Sequence, residues 1–405
     1  MHLSDRISLF FQTIQQNPIF FILFIIGLLS RFWIAPLVMW PDVNVWIDSA
    51  QTVESGRILS FYTHRGKYKY PPLWLFFCWL AYALHPTRDA VYLFLIKLPL
   101  TVADAVIGIV VYVNILHLTE DRRWATIAAV LWIFNPRPII NGARARFDSL
   151  CLMFIVLSAY LLFRKRVGWS GIAMGFACLT KQHAYFFTLP TIAYIGKTLG
   201  WRKASLFIAT YLGVFAAFSM PWLLFDRYAY FKTLYYSLPT RYFISYSMGL
   251  WGLLGKLEHI DMLVVPDWLV GVHYYIFYSA VFLLPTALIL FFRLPNRYIS
   301  EIYQLPAVLF LIFSPKVFPY YHVYFIPFLC LSIGLRLRNP LWYLTAVFSY
   351  LTFFFLLDAV LFEWLNLIGL LALLASALHL FITWRESEMR RGNFHLKTVE
   401  IASII

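Results

Sequence analysis

The residues best suited to chemistry lie in short charged segments between long apolar runs. The first, Met39–Tyr70, opens Trp40-Pro41-Asp42-Val43-Asn44-Val45-Trp46 and carries His64, Arg65, Lys67 and Lys69 before Tyr70-Pro71-Pro72. An acid at a membrane surface with cations nearby suits general-base chemistry beside a phosphate. Asp42 suits capping of the following helix equally well. In the second segment, Asn141–Leu150, Arg144 and Arg146 precede Asp148 and Ser149. Two arginines can hold a phosphate by forked hydrogen bonds, helped by a helix N-terminus. Asp148 and Ser149 fit helix caps better than catalysis.

Lys181, Gln182 and His183 stand between two further apolar runs. An unpaired charge at membrane depth costs roughly 2.5–3.5 kcal/mol, which a ligand phosphate or snorkelling to headgroups would relieve. Ser314–Pro327 sets Lys316 and His322 around a proline-broken helix start, with Tyr320, Tyr321 and Tyr324 suited to an interfacial aromatic belt. The long segment Asp226–Asp267 adds Arg241 and Gly249-Leu250-Trp251. Lys97 and Asp104 share a helix face about two turns apart, roughly 10 Å, and read as structural. The chain contains no P-loop, dinucleotide-binding glycine pattern, nucleophile elbow or zinc spacing. The cations point instead to a phosphate-bearing lipid at the outer face.

Elements that position these residues must be membrane helices. The 405 residues are 61% hydrophobic and 13% charged, against about 45–50% and about 25% in soluble domains. Mean hydropathy is +0.73. The fold expected is an all-α polytopic membrane protein of about 11–13 transmembrane helices. The spans read 18–38, 71–86, 91–117, 124–140, 148–163, 168–181, 184–197, 204–224, 268–292, 301–313, 320–335, 341–357 and 364–384. They form one transmembrane domain over 1–384, with a first outer loop 39–70, a long outer loop 226–267 and a basic cytoplasmic tail 385–405. The first apolar run lacks a small-residue cleavage site and reads as a retained span. The net charge of +14 fits basic loops against anionic headgroups, and no motif for nucleic acid accompanies it. Cys78, Cys151, Cys178 and Cys330 lie inside apolar runs and read as packing residues.

Short basic loops at 121–123, 164–166, 197–203, 293–297 and 336–338 mark the cytoplasmic side. They alternate with 136–148, 180–183, 226–267, 314–319 and 358–363, which share the outer face. The segment 71–86 is short and begins Pro71-Pro72, which suits a re-entrant or interfacial helix.

In this order the motifs resemble the GT-C superfamily of polyprenyl-phosphate-sugar-dependent glycosyltransferases over nearly the whole chain. The matching pieces are Pro41-Asp42, Tyr70–Leu73, Asn135-Pro136, Arg146–Leu150, Leu179–Gln182, Gly249–Trp251, and Lys316 and His322 before Pro327-Phe328. Lys181-Gln182 with Pro190 is similar to lipid-linked-oligosaccharide glucosyltransferases. Length and loop pattern resemble GPI-type and prokaryotic membrane mannosyltransferases. The resemblance implies outer-face catalytic loops and an inverting transfer of a hexose, mannose foremost, from a polyprenyl- or dolichyl-phosphate donor. The acceptor would be lipid-linked or another glycoconjugate, on the luminal or extracytoplasmic side.

By the same resemblance Asp42 is the general base. Arg144, Arg146, Lys181, Arg241, Lys316 and His322 are candidates for the donor phosphate. Trp46, His64, Tyr70, Asp148, Gln182 and Trp251 are candidates for sugar or acceptor contacts. Many members carry a second acid where this chain has Asn44, a departure that argues against a metal-dependent member and leaves one catalytic carboxylate; no cofactor is expected. Expected surroundings are membrane lipids, in a plasma membrane for a prokaryote or an endoplasmic reticulum for a eukaryote. A carrier moving a lipid phosphate or another anion is the alternative, although no inverted repeat accompanies it.

Overall fold

The computed structural model describes residues 17–63, 68–236, 242–244, 262–264, 272, 275–291, 299–314 and 319–336. They belong to two units, one drawn from Met1–Tyr185, Phe207–Thr240 and Leu329–Leu337, the other from Phe186–Leu206 and Arg241–Phe328. The expected spans 341–357 and 364–384 and the tail 385–405 lie outside the described residues, as do His64, Arg241, Trp251 and Lys316.

Helices dominate, as the hydropathy requires. Among the described residues Pro18–Leu37, Ala90–Thr119 and Trp201–Leu234 are long and apolar enough to cross a membrane, and six shorter apolar helices accompany them. The chain is an integral, multi-pass membrane protein. The first unit contains α1 (Pro18–Ile34), α2 (Pro41–Thr52), α3 (Pro72–Leu84), α4 (Ala90–Thr119), α5 (Arg122–Ile133), α6 (Pro136–Ala143), α7 (Asp148–Phe163) and α8 (Val167–Thr180). Starts are set by local chemistry: Asn17, Asp89, Asp121 and Asn135 each accept a backbone N–H as cap, and prolines stand at the first turns of α1, α2, α3 and α6. The other unit holds most of α9 (Tyr185–Leu199), a strand pair Tyr242–Ile244 against Met262–Val264, and helices 275–291 and Ile299–Phe313. There Phe186 packs against Phe277, Phe282 and Phe310, and Lys197 Nζ donates to the carbonyls of Ile289 and Leu290.

Three segments differ from the expected spans. The run 124–140 is two helices, because Asn135-Pro136 ends one and caps the next: proline lacks the N–H and forces its predecessor out of the helical region. The outer segment 39–70 is largely helical over Pro41–Thr52. The run 204–224 continues as α10 (Trp201–Tyr236), interrupted at Asp226, whose φ is −151°. Helix α3, at 13 residues, spans only about 20 Å of the roughly 30 Å hydrocarbon core.

Several buried charges in the first unit meet internal partners. Arg31 Nε donates to Asp104 Oδ2 at 2.8 Å across α1 and α4, and Lys97 Nζ donates to the carbonyls of Ala35 and Val38. So Lys97 and Asp104 are each settled by α1 and the turn after it, and not by each other. Helices α8 and α10 touch backbone to backbone, since a Cβ on Gly171 would lie 2.5 Å from the Phe207 carbonyl oxygen. All four cysteines are buried free thiols.

Candidate active site

The site grows from the turn between α6 and α7. Helix α6 ends with Arg146 N–H donating to Asn141 O at 2.9 Å and Ala145 N–H to Gly142 O at 3.0 Å. This is a Schellman stop, and Ala145 takes the left-handed position at φ 53° that glycine usually fills. Trp46 of α2 fastens the turn, its Nε1 donating to Ala145 O at 3.1 Å. The reversal brings both neighbouring arginines to Trp40: Arg144 Cζ lies 3.9 Å from its ring centroid and Arg146 Cζ 5.7 Å. Both distances are within cation–π range.

Asp42 faces this turn. It sits in the first turn of α2, where the cap position is Trp40, so the capping role open to it in the sequence falls away. Its Oδ2 is 3.8 Å from Arg146 Nε, and its side chain is 45% exposed. That separation exceeds a hydrogen bond, leaving the carboxylate lone pairs available to an incoming hydroxyl. Asn44 lies two residues on, hence about 200° around the helix, and its Oδ1 accepts from Arg88.

Behind the turn stands a closed pair. Lys181 Nζ donates to Asp148 Oδ1 at 2.6 Å, with side chains 3% and 1% exposed. Asp148 is the first residue of α7 and Phe147 holds the cap position, so this acid does not cap either. Lys181 thus meets an internal carboxylate, and a ligand phosphate is not needed to explain its depth. Gln182 Nε2 donates to Lys69 O at 2.6 Å, and the Tyr62 hydroxyl donates to Tyr70 O at 2.9 Å. Together they fix the segment that carries Tyr70. Burial first, then Asp148 and Asp42, push the Tyr70 phenol above its ordinary range, so it remains an O–H donor at neutral pH.

Of the residues read from the sequence, Asp42, Trp46, Tyr70, Arg144, Arg146, Asp148, Lys181 and Gln182 share one unit and one neighbourhood. Trp46 differs from its expected sugar-stacking role. It is a core residue, 4% exposed, with its ring among Tyr68, Tyr70, Trp74 and Phe147. His322 is buried in the 3₁₀ turn Pro319–Tyr324 of the other unit. One residue was missed: Arg137, wholly buried in the first turn of α6. With 136–148 expected on the outer face, an arginine there owes nothing to positive-inside bias, and that is the signal the sequence carries for it.

An apolar cavity of about 410 Å³ opens beside Leu150, lined by Phe77, Leu84, Leu95, Val102 and Phe154.

Residues 68–315 match the profile of glycosyltransferase family 87. That stretch is more than half of the 405-residue chain and begins after Asp42. The chain is 24% identical over 228 residues to GPI mannosyltransferase 1 of Kluyveromyces lactis, covering 55% of this chain and 54% of that protein. It is 24% identical over 196 residues to GPI mannosyltransferase 1 of Dictyostelium discoideum, covering 45% and 42%. The matched part thus spans about half or less of these relatives. In fold, the chain is similar to ArnT from Cupriavidus metallidurans bound to undecaprenyl phosphate. That likeness has a TM-score of 0.56 at 14% identity, covering 90% of this chain and 75% of that one.

Proposed function

Since the chain belongs to glycosyltransferase family 87 and is a membrane glycosyltransferase, we propose that it transfers mannose from a polyprenyl- or dolichyl-phosphate donor. The acceptor is a lipid-linked or other glycoconjugate hydroxyl at the luminal or extracytoplasmic face. The observation that carries this reading is the half-exposed Asp42 carboxylate 3.8 Å from Arg146, with Arg144 stacked on Trp40 beside it. The carboxylate suits a base and the guanidiniums suit a phosphate.

In the proposed reaction Asp42 takes the proton of the acceptor hydroxyl as its oxygen attacks the anomeric carbon. The C1–O bond to phosphate breaks, its electron pair stays on the phosphate oxygen, and the anomeric centre inverts. The leaving phosphate is an anion and calls for positive charge more than for an acid, which Arg144 and Arg146 supply. Tyr70 offers an O–H to the sugar. Asp148, Lys181, Gln182 and Trp46 hold the turn and the Tyr70 segment in place. His64, Arg241, Trp251, Lys316 and His322 join the reading on residue type alone. Asn44, standing where a second acid might be, supports a metal-independent reaction with one carboxylate. The apolar cavity beside Leu150 suits part of an isoprenoid chain. Likeness to the GPI mannosyltransferases supports mannose, and the undecaprenyl phosphate bound to ArnT supports the lipid carrier.

The test uses purified protein with labelled polyprenyl-phosphate-mannose and an extract of host lipids and glycoconjugates, with and without EDTA. Label should pass to an acceptor and survive EDTA. Binding of the labelled lipid without transfer to any acceptor would overturn the mannose assignment, and loss with EDTA the metal-free one.

A further inference from the structure

Among the described residues, other buried charges meet internal partners, as at Arg31–Asp104 (2.8 Å) and Lys181–Asp148 (2.6 Å). Arg137 breaks the pattern. It is 0% exposed, and among the described residues its Nε, Nη1 and Nη2 all lack a hydrogen-bond partner. Its backbone N–H alone is engaged, donating to the capping Asn135 Oδ1 at 3.0 Å. A guanidinium carries five donors and stays charged at neutral pH, and burying one uncompensated is strongly unfavourable. The neighbouring charges make this worse. After burial itself, Arg146 and then Arg144 depress its pKa, to about 9. Arg137 thus feels the charge of two guanidiniums, of which Arg146 faces Asp42 and Arg144 lies on Trp40.

We propose that Arg137 is a third phosphate ligand whose task is to hold the leaving group more tightly than the donor. This rests on the lipid-phosphate donor proposed above. In that donor the phosphate is a diester with one charge. When the C1–O bond breaks, the electron pair remains on phosphate and the acceptor proton goes to Asp42. The product is a lipid phosphate monoester that carries a second charge. A cation with no internal partner gains most as that second charge appears, and needs to break no hydrogen bond to reach it. Contacts that strengthen toward the transition state raise turnover instead of merely tightening substrate binding.

The test compares farnesyl phosphate, a monoester, with its methyl ester, a diester of one charge, as ligands of the purified full-length protein near pH 8. Wild type should prefer the monoester. Arg137→Met should lose about tenfold of that preference, near the weight of one charge-assisted hydrogen bond, with methyl-ester binding nearly unchanged. Arg146→Gln should weaken both ligands. Arg137→Met should also raise the Tm of the ligand-free protein, because an apolar chain replaces an unpaired buried cation. Arg137→Lys should retain part of the preference. If Arg137→Met keeps the wild-type preference, or lowers Tm and weakens both ligands in parallel, Arg137 is structural and the inference falls while the donor reading stands. If wild type binds neither probe, the donor reading falls first and takes this one with it.

Discussion

Two acid–cation pairs lie within a few residues of each other and are built in opposite ways. Lys181 and Asp148 meet at 2.6 Å with side chains 3% and 1% exposed; Arg146 and Asp42 stand 3.8 Å apart with side chains 14% and 45% exposed. The first pair is closed, so each charge is spent on the other and on holding α7 against the end of α8. The second is open, so the half-exposed Asp42 carboxylate faces Arg146 without closing a hydrogen bond to it. Tyr70 senses both acids, so the contrast operates inside one small region. The lesson is that depth in the membrane does not by itself mark a charge for chemistry, since Lys181 finds its partner inside the protein.

The sharpest way to break this comparison is to neutralise each pair in turn. Asp42→Asn should cut transfer by about 10²–10⁴-fold, the usual weight of a general base, while thermal stability stays within about 0.5 kcal/mol of wild type. Turnover with labelled donor and a melting curve read the two effects, and near-normal turnover would remove Asp42 from the chemistry. Lys181→Met should do the reverse, costing roughly 3–5 kcal/mol because Asp148 is left charged and buried. Adding Asp148→Leu should recover most of that loss in a double-mutant cycle. A double variant as unstable as the single one would show that the pair is not the closed structural unit described.

Smaller changes sharpen the open side. Arg146→Gln should lower kcat/KM by about 10–100-fold, equivalent to roughly 1.5–3 kcal/mol for a bond to a charged group, and do so less at high salt. An unchanged salt profile would count against phosphate contact. Trp40→Leu removes the platform under Arg144 and should raise KM a few-fold, in keeping with about 0.5–1 kcal/mol for a cation–π contact at an exposed site. Steady-state kinetics with the same donor would show whether kcat moves instead.

Parts of this site are legible from residue order. Asp42 stands out as an acid directly after the first apolar run, and Arg144 and Arg146 as arginines on the face that the positive-inside rule leaves poor in cations. Other parts are not. Lys181 and Asp148 are 33 residues apart in sequence, and their pairing depends on how α7 and α8 dock. Trp46 reads as a surface aromatic able to stack on a sugar, yet the helix Pro41–Thr52 turns it inward among four aromatic rings. Arg137 falls inside the apparent span 124–140 and looks like its basic flank until the break at Asn135-Pro136 and its complete burial are seen.

By itself, the sequence determined that this is a polytopic helical membrane protein, where several of its helices start, and the superfamily its ordered motifs resemble. Those properties follow from hydropathy, proline and capping residues, which act locally and add along the chain. Only the tertiary structure decided which charge answers which. Electrostatic compensation depends on distance in space and on exclusion of water, and neither is written in the spacing of residues along the chain.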